Sequence, residues 1–481
     1  MYFITSIIGW ANLAIAYIFD KKYYPLRSYF IIFENNEIVN LKKITNSILH
    51  FSGYRAHIIS SIPYKVINEL FYIMLAIILI ALFFAGYKLV QSNEISQPEI
   101  IKWTVIFSFL MAIAIPWHSS DLYGYIARGA QQSLYHQNPY LSTVDAIHGH
   151  KLNSLFFNCI WADTPTTYGP IFVYLTKAIV YLSNNSFLYS FINFKLLNLT
   201  VFLFFIWLLT LLKDTKNIYL IGWNPLILIQ GLWNCHNDLL SGVLIFVSLY
   251  LFAKDKNNCF LGMFFLIIAA GVKFVSLLLI PIICFHYLFK EKFKWSTLVN
   301  LSLGLLAGVM FILLFSLDYM VPIEQLLNGS LNKIVSNVGL VHKSLIALIF
   351  TVIKYCCEFL NLNCDLGFIQ NFVRCFIYLG FVLFYFFVLL KKQSDIVFNS
   401  ILVLFVFFAF TIAKFHSWYL LNLIVLLPLL NDLLLKRILI TLSMSHTFAI
   451  TFLDQAKILN FIAFTLIPTL LVVIKGKHKV E

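Results

Sequence analysis

Apolar runs of about 15–25 residues, parted by short polar breaks, recur along almost the whole chain. They fall at 3–19, 68–90, 99–117, 186–212, 217–233, 236–253, 258–272, 274–289, 296–317, 367–390, 396–413, 417–435, 438–452 and 458–474. A helix rising roughly 1.5 Å per residue crosses ~30 Å of hydrocarbon over such a run. Strands are excluded even where Val and Ile abound, because lipid cannot satisfy the edge of an open sheet. The pattern predicts an all-α, polytopic integral membrane protein with about 13–14 transmembrane helices. Two more apolar stretches, 169–183 and 342–360, must lie in the interface or re-enter if the parity below is to hold.

Composition supports the bilayer. Hydrophobic residues make up 61% of the 481, charged residues only 11%, and the mean hydropathy is +0.87. A soluble fold cannot hide so much apolar surface. The net charge of +13 would suit nucleic acid, but its distribution excludes that partner. Basic residues cluster between apolar runs: Lys213 and Lys216, Lys254 and Lys256, Lys290 to Lys294, Lys391 and Lys392, Lys436 and Arg437, Lys475 to Lys479. Placing these clusters inside puts both termini in the cytoplasm and collects 118–168, 234–238, 271–274, 318–366 and 414–418 outside. The basic segment 20–66 fits that scheme poorly. The organisation expected is an N-terminal transmembrane region, 1–98, containing that segment. Residues 99–481 then form a transmembrane catalytic domain with outer loops 118–185 and 318–366. The N-terminal run lacks a basic leader and a small-residue cleavage site, and reads as a retained span. Eight cysteines show no metal-ligand spacing and read mostly as small buried hydrophobes, although Cys356, Cys357 and Cys364 could form an external disulfide.

The polar residues with chemical potential all fall on the outer side. Pro116 to Gly129 comes directly after a span, and Ser119 or Ser120 can cap a helix whose first turn holds Asp121. Asp121, Tyr125 and Arg128 then share one stripe. Asp121 reads either as a cap paired with Arg128 or as a general base at the membrane boundary. Asn138-Pro139-Tyr140 and Trp161 to Pro170 form a turn-rich loop, in which Asp163 is a second candidate base or a turn-former and Tyr168 a sugar-stacking ring or belt aromatic. His236, Asn237 and Asp238 exceed what a helix cap needs. Lys273 either snorkels to headgroups or binds an anion such as phosphate. His416 and Trp418 mark another outer helix end.

At these residues the chain resembles the GT-C superfamily of membrane glycosyltransferases, nearest to bacterial polyprenyl-phosphate-mannose-dependent α-(1→6)-mannosyltransferases. The carriers are Asp121…Tyr125…Gly129, Asn138-Pro139-Tyr140, Thr167-Tyr168-Gly169-Pro170, Asn224-Pro225, His236-Asn237-Asp238, Ala269 to Lys273, and Ser417-Trp418-Tyr419-Leu420. They cover roughly residues 100–425, and 1–98 has no counterpart. The resemblance implies inverting transfer of a sugar, mannose by analogy, from a polyprenyl-phosphate donor to a glycan or glycolipid acceptor. The face would be the extracytoplasmic side of a bacterial inner or plasma membrane. Asp121 would be the base, Arg128 and Lys273 would hold the leaving phosphate, and His236, Asn237 and Asp238 would position a substrate. Many relatives carry two neighbouring acidic residues where this chain has Ser120-Asp121. Asp163 therefore stays open as the base, and a divalent cation stays open as a cofactor, none being required. The competing reading is a transporter or flippase of lipid-linked sugars, for which the mid-span Lys195 would be a signature.

Overall fold

The computed structural model describes residues 64–116, 119–149, 153–156, 159–254, 258–290, 294–319, 343–391, 395–448 and 457–477. The expected span at 3–19, almost all of the polar segment 20–66, and residues 320–342 of the expected outer loop 318–366 lie outside the described residues. Every regular element described is helical, and the chain is an all-α polytopic membrane protein.

The helices are α1 Tyr64–Gln91, α2 Gln97–Ile113, α3 Asp121–Ser133, α4 Pro170–Leu182, α5 Phe187–Leu211 and α6 Thr215–Gly222. They continue with α7 Asp238–Lys254, α8 Cys259–Val272, α9 Leu279–Phe285, α10 Trp295–Ser316, α11 Leu345–Phe359 and α12 Leu366–Leu390. The last are α13 Ile396–Val406, α14 Leu421–Ile424, α15 Leu433–Phe448, α16 Lys457–Phe461 and α17 Ile467–Lys477.

Five stretches are long and apolar enough to cross alone: Tyr72–Gln91, Phe187–Leu211, Trp295–Tyr319, Leu366–Leu390 and Ile458–Lys475. They coincide with expected spans. Their outward rings, such as Phe368 at 69% exposed and Phe387 at 65%, face what would be lipid. The turn Ile227–Trp233 and α7 pass the same test only as a pair, bent by 113° at a break as in a broken span or a re-entrant loop. Five shorter apolar helices also occur among the described residues.

Three expected spans are interrupted, two of them for visible reasons. In 217–233, Pro225 cannot donate a backbone hydrogen bond, and Asn224 Oδ1 instead caps the amides of Leu226 and Ile227 at 3.0 and 3.3 Å. The chain then enters a π-helical turn, Ile227–Trp233. The run 417–435 becomes a 3₁₀ turn, the four-residue α14 and a second 3₁₀ turn holding Pro428. The run 274–289 is a 3₁₀ turn, α9 and a π-helical turn. The two stretches that parity forbids to cross are α4 and α11, thirteen and fifteen residues long. At roughly 1.5 Å per residue neither reaches ~30 Å.

Small residues let the scaffold close. Gly304 and Gly308, one turn apart on α10, face Phe260 and Ile267 of α8 so closely that a Cβ would collide. A second, smaller apolar cluster builds a cap around α3 and α4. There Leu122, Tyr125 and Ile126 of α3 pack with Phe172 and Val180 of α4, and with Val144, Ile147, Leu155 and Phe156 of the intervening loop. Gly169 N–H donates to Val272 O at 3.0 Å, and a Cβ added at Gly169 would collide with the Gly271 carbonyl, so the close approach ties this cap to the end of α8.

Candidate active site

Asp121 opens α3 shortly after the end of α2. Its amide donates to Ser119 Oγ at 3.2 Å, and Ser120, the N-cap, makes no side-chain cap. The Asp121 carboxylate at this positive helix end turns instead toward the broken span. There Cys235 adopts a left-handed φ of 62° at the corner where the chain bends, next to His236. His236 is fully buried, and its Nδ1 lies 3.2 Å from Asp121 Oδ2, within ion-pair range but off the line of a hydrogen bond. Trp418 stacks on the His236 ring at 4.2 Å, and His416 stacks on Trp418 at 4.1 Å.

One step on, Asp238 sits at the first turn of α7 but does not cap it. Its Oδ1 accepts from Lys273 Nζ at 2.5 Å and from Asn422 Nδ2 at 2.6 Å. The Lys273 ammonium also lies 4.5 Å over the Tyr419 ring. Between the two carboxylates, Tyr125 OH donates to Asn237 Oδ1 and receives the Asn237 amide, both at 3.3 Å. Tyr168 meets Tyr125 edge-on at 5.4 Å. Burial above all, then neighbours that include Asp121 and Asp238, raises the Tyr125 and Tyr168 phenols well above their usual range. Both stay protonated donors. His416 is pushed well below the usual imidazole range by burial, then by Lys414, Lys343, His236 and Lys273, so it is neutral at pH 7.

Besides His236 Nδ1, six buried polar atoms around this turn make no hydrogen bond among the described residues: His236 Nε2, Asn237 Nδ2, Asn422 Oδ1, Gln230 Nε2, Asn234 Oδ1 and Ser241 Oγ. Buried donors and acceptors are rarely left unmatched, and several within one turn mark a surface suited to a hydroxyl-rich ligand or to water.

The structure thus brings together Asp121, Tyr125, Tyr168, His236, Asn237, Asp238, Lys273, His416 and Trp418. Three other expected residues stand elsewhere. Arg128 is 6% exposed and used by its own loop, donating to Gln131 Oε1 at 2.9 Å, Trp161 O at 2.9 Å and Thr164 O. Burial lowers its pKa. Asn138 closes an Asx turn on the Tyr140 amide and reaches Tyr319 O at 3.3 Å. Asp163 is exposed on a turn, although its neighbour Trp161 covers Lys414 at 4.6 Å and so touches the His416 segment. Two further residues join the site. Tyr419 belongs to a motif that carries the resemblance, which assigns it no role, and Asn422 is hidden inside a leucine run, where a lone amide is the only sequence signal.

Among the described residues no group of three or more His, Cys, Asp or Glu side chains comes together, so no all-protein metal cage is framed there.

The comparison with protein families converges on the same region. The family model described as alpha-(1→6)-mannopyranosyltransferase, N-terminal domain, matches residues 46–288, just over half of the chain. The match begins inside the N-terminal region that the motif resemblance left uncovered. It includes Asp121, His236, Asp238 and Lys273, while His416, Trp418 and Asn422 lie beyond it. No curated protein and no solved structure matches the chain. With a matched region that long, holding most of the residues that the fold gathers around the broken span, the chain belongs to the alpha-(1→6)-mannopyranosyltransferase family of glycosyltransferases.

Proposed function

We propose that this glycosyltransferase moves a mannosyl unit from a polyprenyl-phosphate donor to a glycan or glycolipid acceptor at the extracytoplasmic face, by a GT-C-type inverting displacement with Asp121 as general base. The observation that carries this reading is the meeting of Asp121 with the His236-Asn237-Asp238 turn of a broken span, beside Lys273. The acceptor hydroxyl gives its proton to the Asp121 carboxylate as its oxygen bonds to the sugar C1. The bond from C1 to the phosphate oxygen breaks on the opposite face and its electron pair leaves with the phosphate, so the anomeric centre inverts. Lys273 stands ready to offset the charge gained by the leaving phosphate, and the protonated Tyr125 and Tyr168 are further donors. The unmatched amides of Asn237 and Asn422 suit sugar hydroxyls. The donor's tail would lie in the bilayer.

The extracytoplasmic face is supported by the Cys357–Cys364 disulfide, a bond characteristic of oxidising compartments. From that loop α12 runs toward the basic Lys391, and α13 with the turn Phe407–Thr411 returns to His416. His416 would then share the side of the disulfide.

The test is sugar transfer in membranes supplied with labelled polyprenyl-phosphate mannose, comparing Asp121→Asn with Asp163→Asn. Asp121→Asn should lose about 10²–10⁴-fold in rate, the usual worth of a general base, and Asp163→Asn should stay near wild type. The reverse pattern would move the base to Asp163. Transfer retained by both would sink the assignment of a base to either carboxylate.

A further inference from the structure

The broken span leaves carbonyl groups at the end of its first half with no amide of their own helix to receive. Two residues of α5 supply the missing donors. Lys195, 5% exposed, donates from Nζ to Leu232 O at 3.1 Å and to Trp233 O at 2.5 Å. Its third bond runs to Ala114 O, the C-cap of α2, at 2.7 Å. Asn198, one turn along, donates Nδ2 to Gly231 O at 3.1 Å and to Cys235 Sγ at 3.0 Å. Trp233 Nε1 completes the junction on Ile115 O at 2.5 Å.

Three ammonium protons meet three carbonyls, so the amine is fully engaged. The carbonyls close two helix ends, whose partial negative charges converge on one cation. That accounts for a lysine in the middle of a long apolar helix without a transport role. The two ends so joined are the ones that lead into the site. Ala114 and Ile115 run on to Asp121, while Leu232 and Trp233 run on to the Cys235 corner and His236.

We infer that Lys195, assisted by Asn198, is a positioning residue that sets Asp121 against His236 for sugar transfer. The inference rests on the reading of Asp121 as the base. Lys195 touches no reacting group and acts only through the two segments it joins.

A cycle of single and double variants tests this, with rates normalised to the amount of monodisperse protein in detergent. Lys195→Met should lower kcat by about 10–100-fold, the scale of a catalytic group displaced by about an ångström. Lys195→Arg keeps the donors and should recover most of that loss. Asn198→Leu should show a milder defect of the same kind, which covers the case in which Lys195→Met fails to assemble. The decisive readout is the Asp121→Asn background. A residue that acts by placing Asp121 should matter little once the base is gone, so Lys195→Met or Asn198→Leu should there cost less than about threefold. The same fold-loss in both backgrounds would overturn the inference, as would a Lys195→Met protein with wild-type kcat. If Asp121→Asn itself transferred sugar at the wild-type rate, the base assignment would fail first and the inference with it.

Discussion

Asp238 is 1% exposed at its side chain and Lys273 18%, so the cost of breaking their pair exceeds the worth of having it. Removing the ammonium alone leaves a buried carboxylate with only the Asn422 amide for company. Lys273→Met should therefore cost about 3 kcal/mol, the lower end for a buried pair because the lysine is partly solvated. The double variant Asp238→Asn/Lys273→Met should melt closer to wild type than Lys273→Met alone. Melting temperatures in one detergent check the order, and a double variant no better than the single would mean that the pair itself holds the turn. His416 provides a pH signature. An imidazole with a depressed folded pKa stays neutral while the unfolded chain takes up a proton, so the folded state loses ground as pH falls below 6.5 and gains nothing above it. The wild-type melting temperature should decline on acidification from pH 6.5, and His416→Gln should flatten that slope whatever it does to the level at neutral pH.

Among the elements, the cap around α3 and α4 is held to the end of α8 by contact between two glycines. A Cβ on Gly169 would fall inside van der Waals range of the Gly271 carbonyl and close to Ala270 O, both backbone atoms that cannot step aside. Gly169→Ala should cost about 1–3 kcal/mol as overpacking. Because Tyr168 precedes it and abuts Tyr125, the same change should lower sugar transfer more than an equally destabilising change at the α8–α10 contact, such as Gly308→Ala. Parallel measurements of melting and rate decide this: equal activity at equal stability would mean that the cap has no part in shaping the site. The long helices were legible in sequence because a run of some twenty apolar residues has few other uses. The break at Trp223-Asn224-Pro225 was legible too, because a proline has no amide to donate. The break within 417–435 was not, since hydropathy averages over the run.

At the level of the whole molecule, orientation can be measured apart from activity. The Cys357–Cys364 bond closes a loop with a sequence separation of 7, and its loss should cost about 2–3 kcal/mol on a chain-entropy account. After mild reduction of intact cells, a membrane-impermeant maleimide should label the freed pair without permeabilisation. Labelling only after permeabilisation would put that loop, and with it the proposed face of the site, in the cytoplasm.

The linear sequence determined the solvent of this protein, its helical class and the residue types at its polar turns, because apolar run length and the positions of charge survive without any knowledge of contacts. It also brought Asp121, His236, Asp238 and Lys273 under suspicion, each being costly at a membrane boundary unless used. Only the tertiary structure decided which of the candidates meet. Arg128 and Asn138 are equally polar and equally close in the chain, yet Arg128 holds the carbonyls of the loop after α3, and Asn138 closes its own turn and reaches Tyr319 O. Lys195, which by sequence pointed to transport, sits where two helix ends offer three carbonyls, a property of no single segment. Pairing depends on where separate helices stop and turn, and those end points are set by packing and by capping groups far away in sequence.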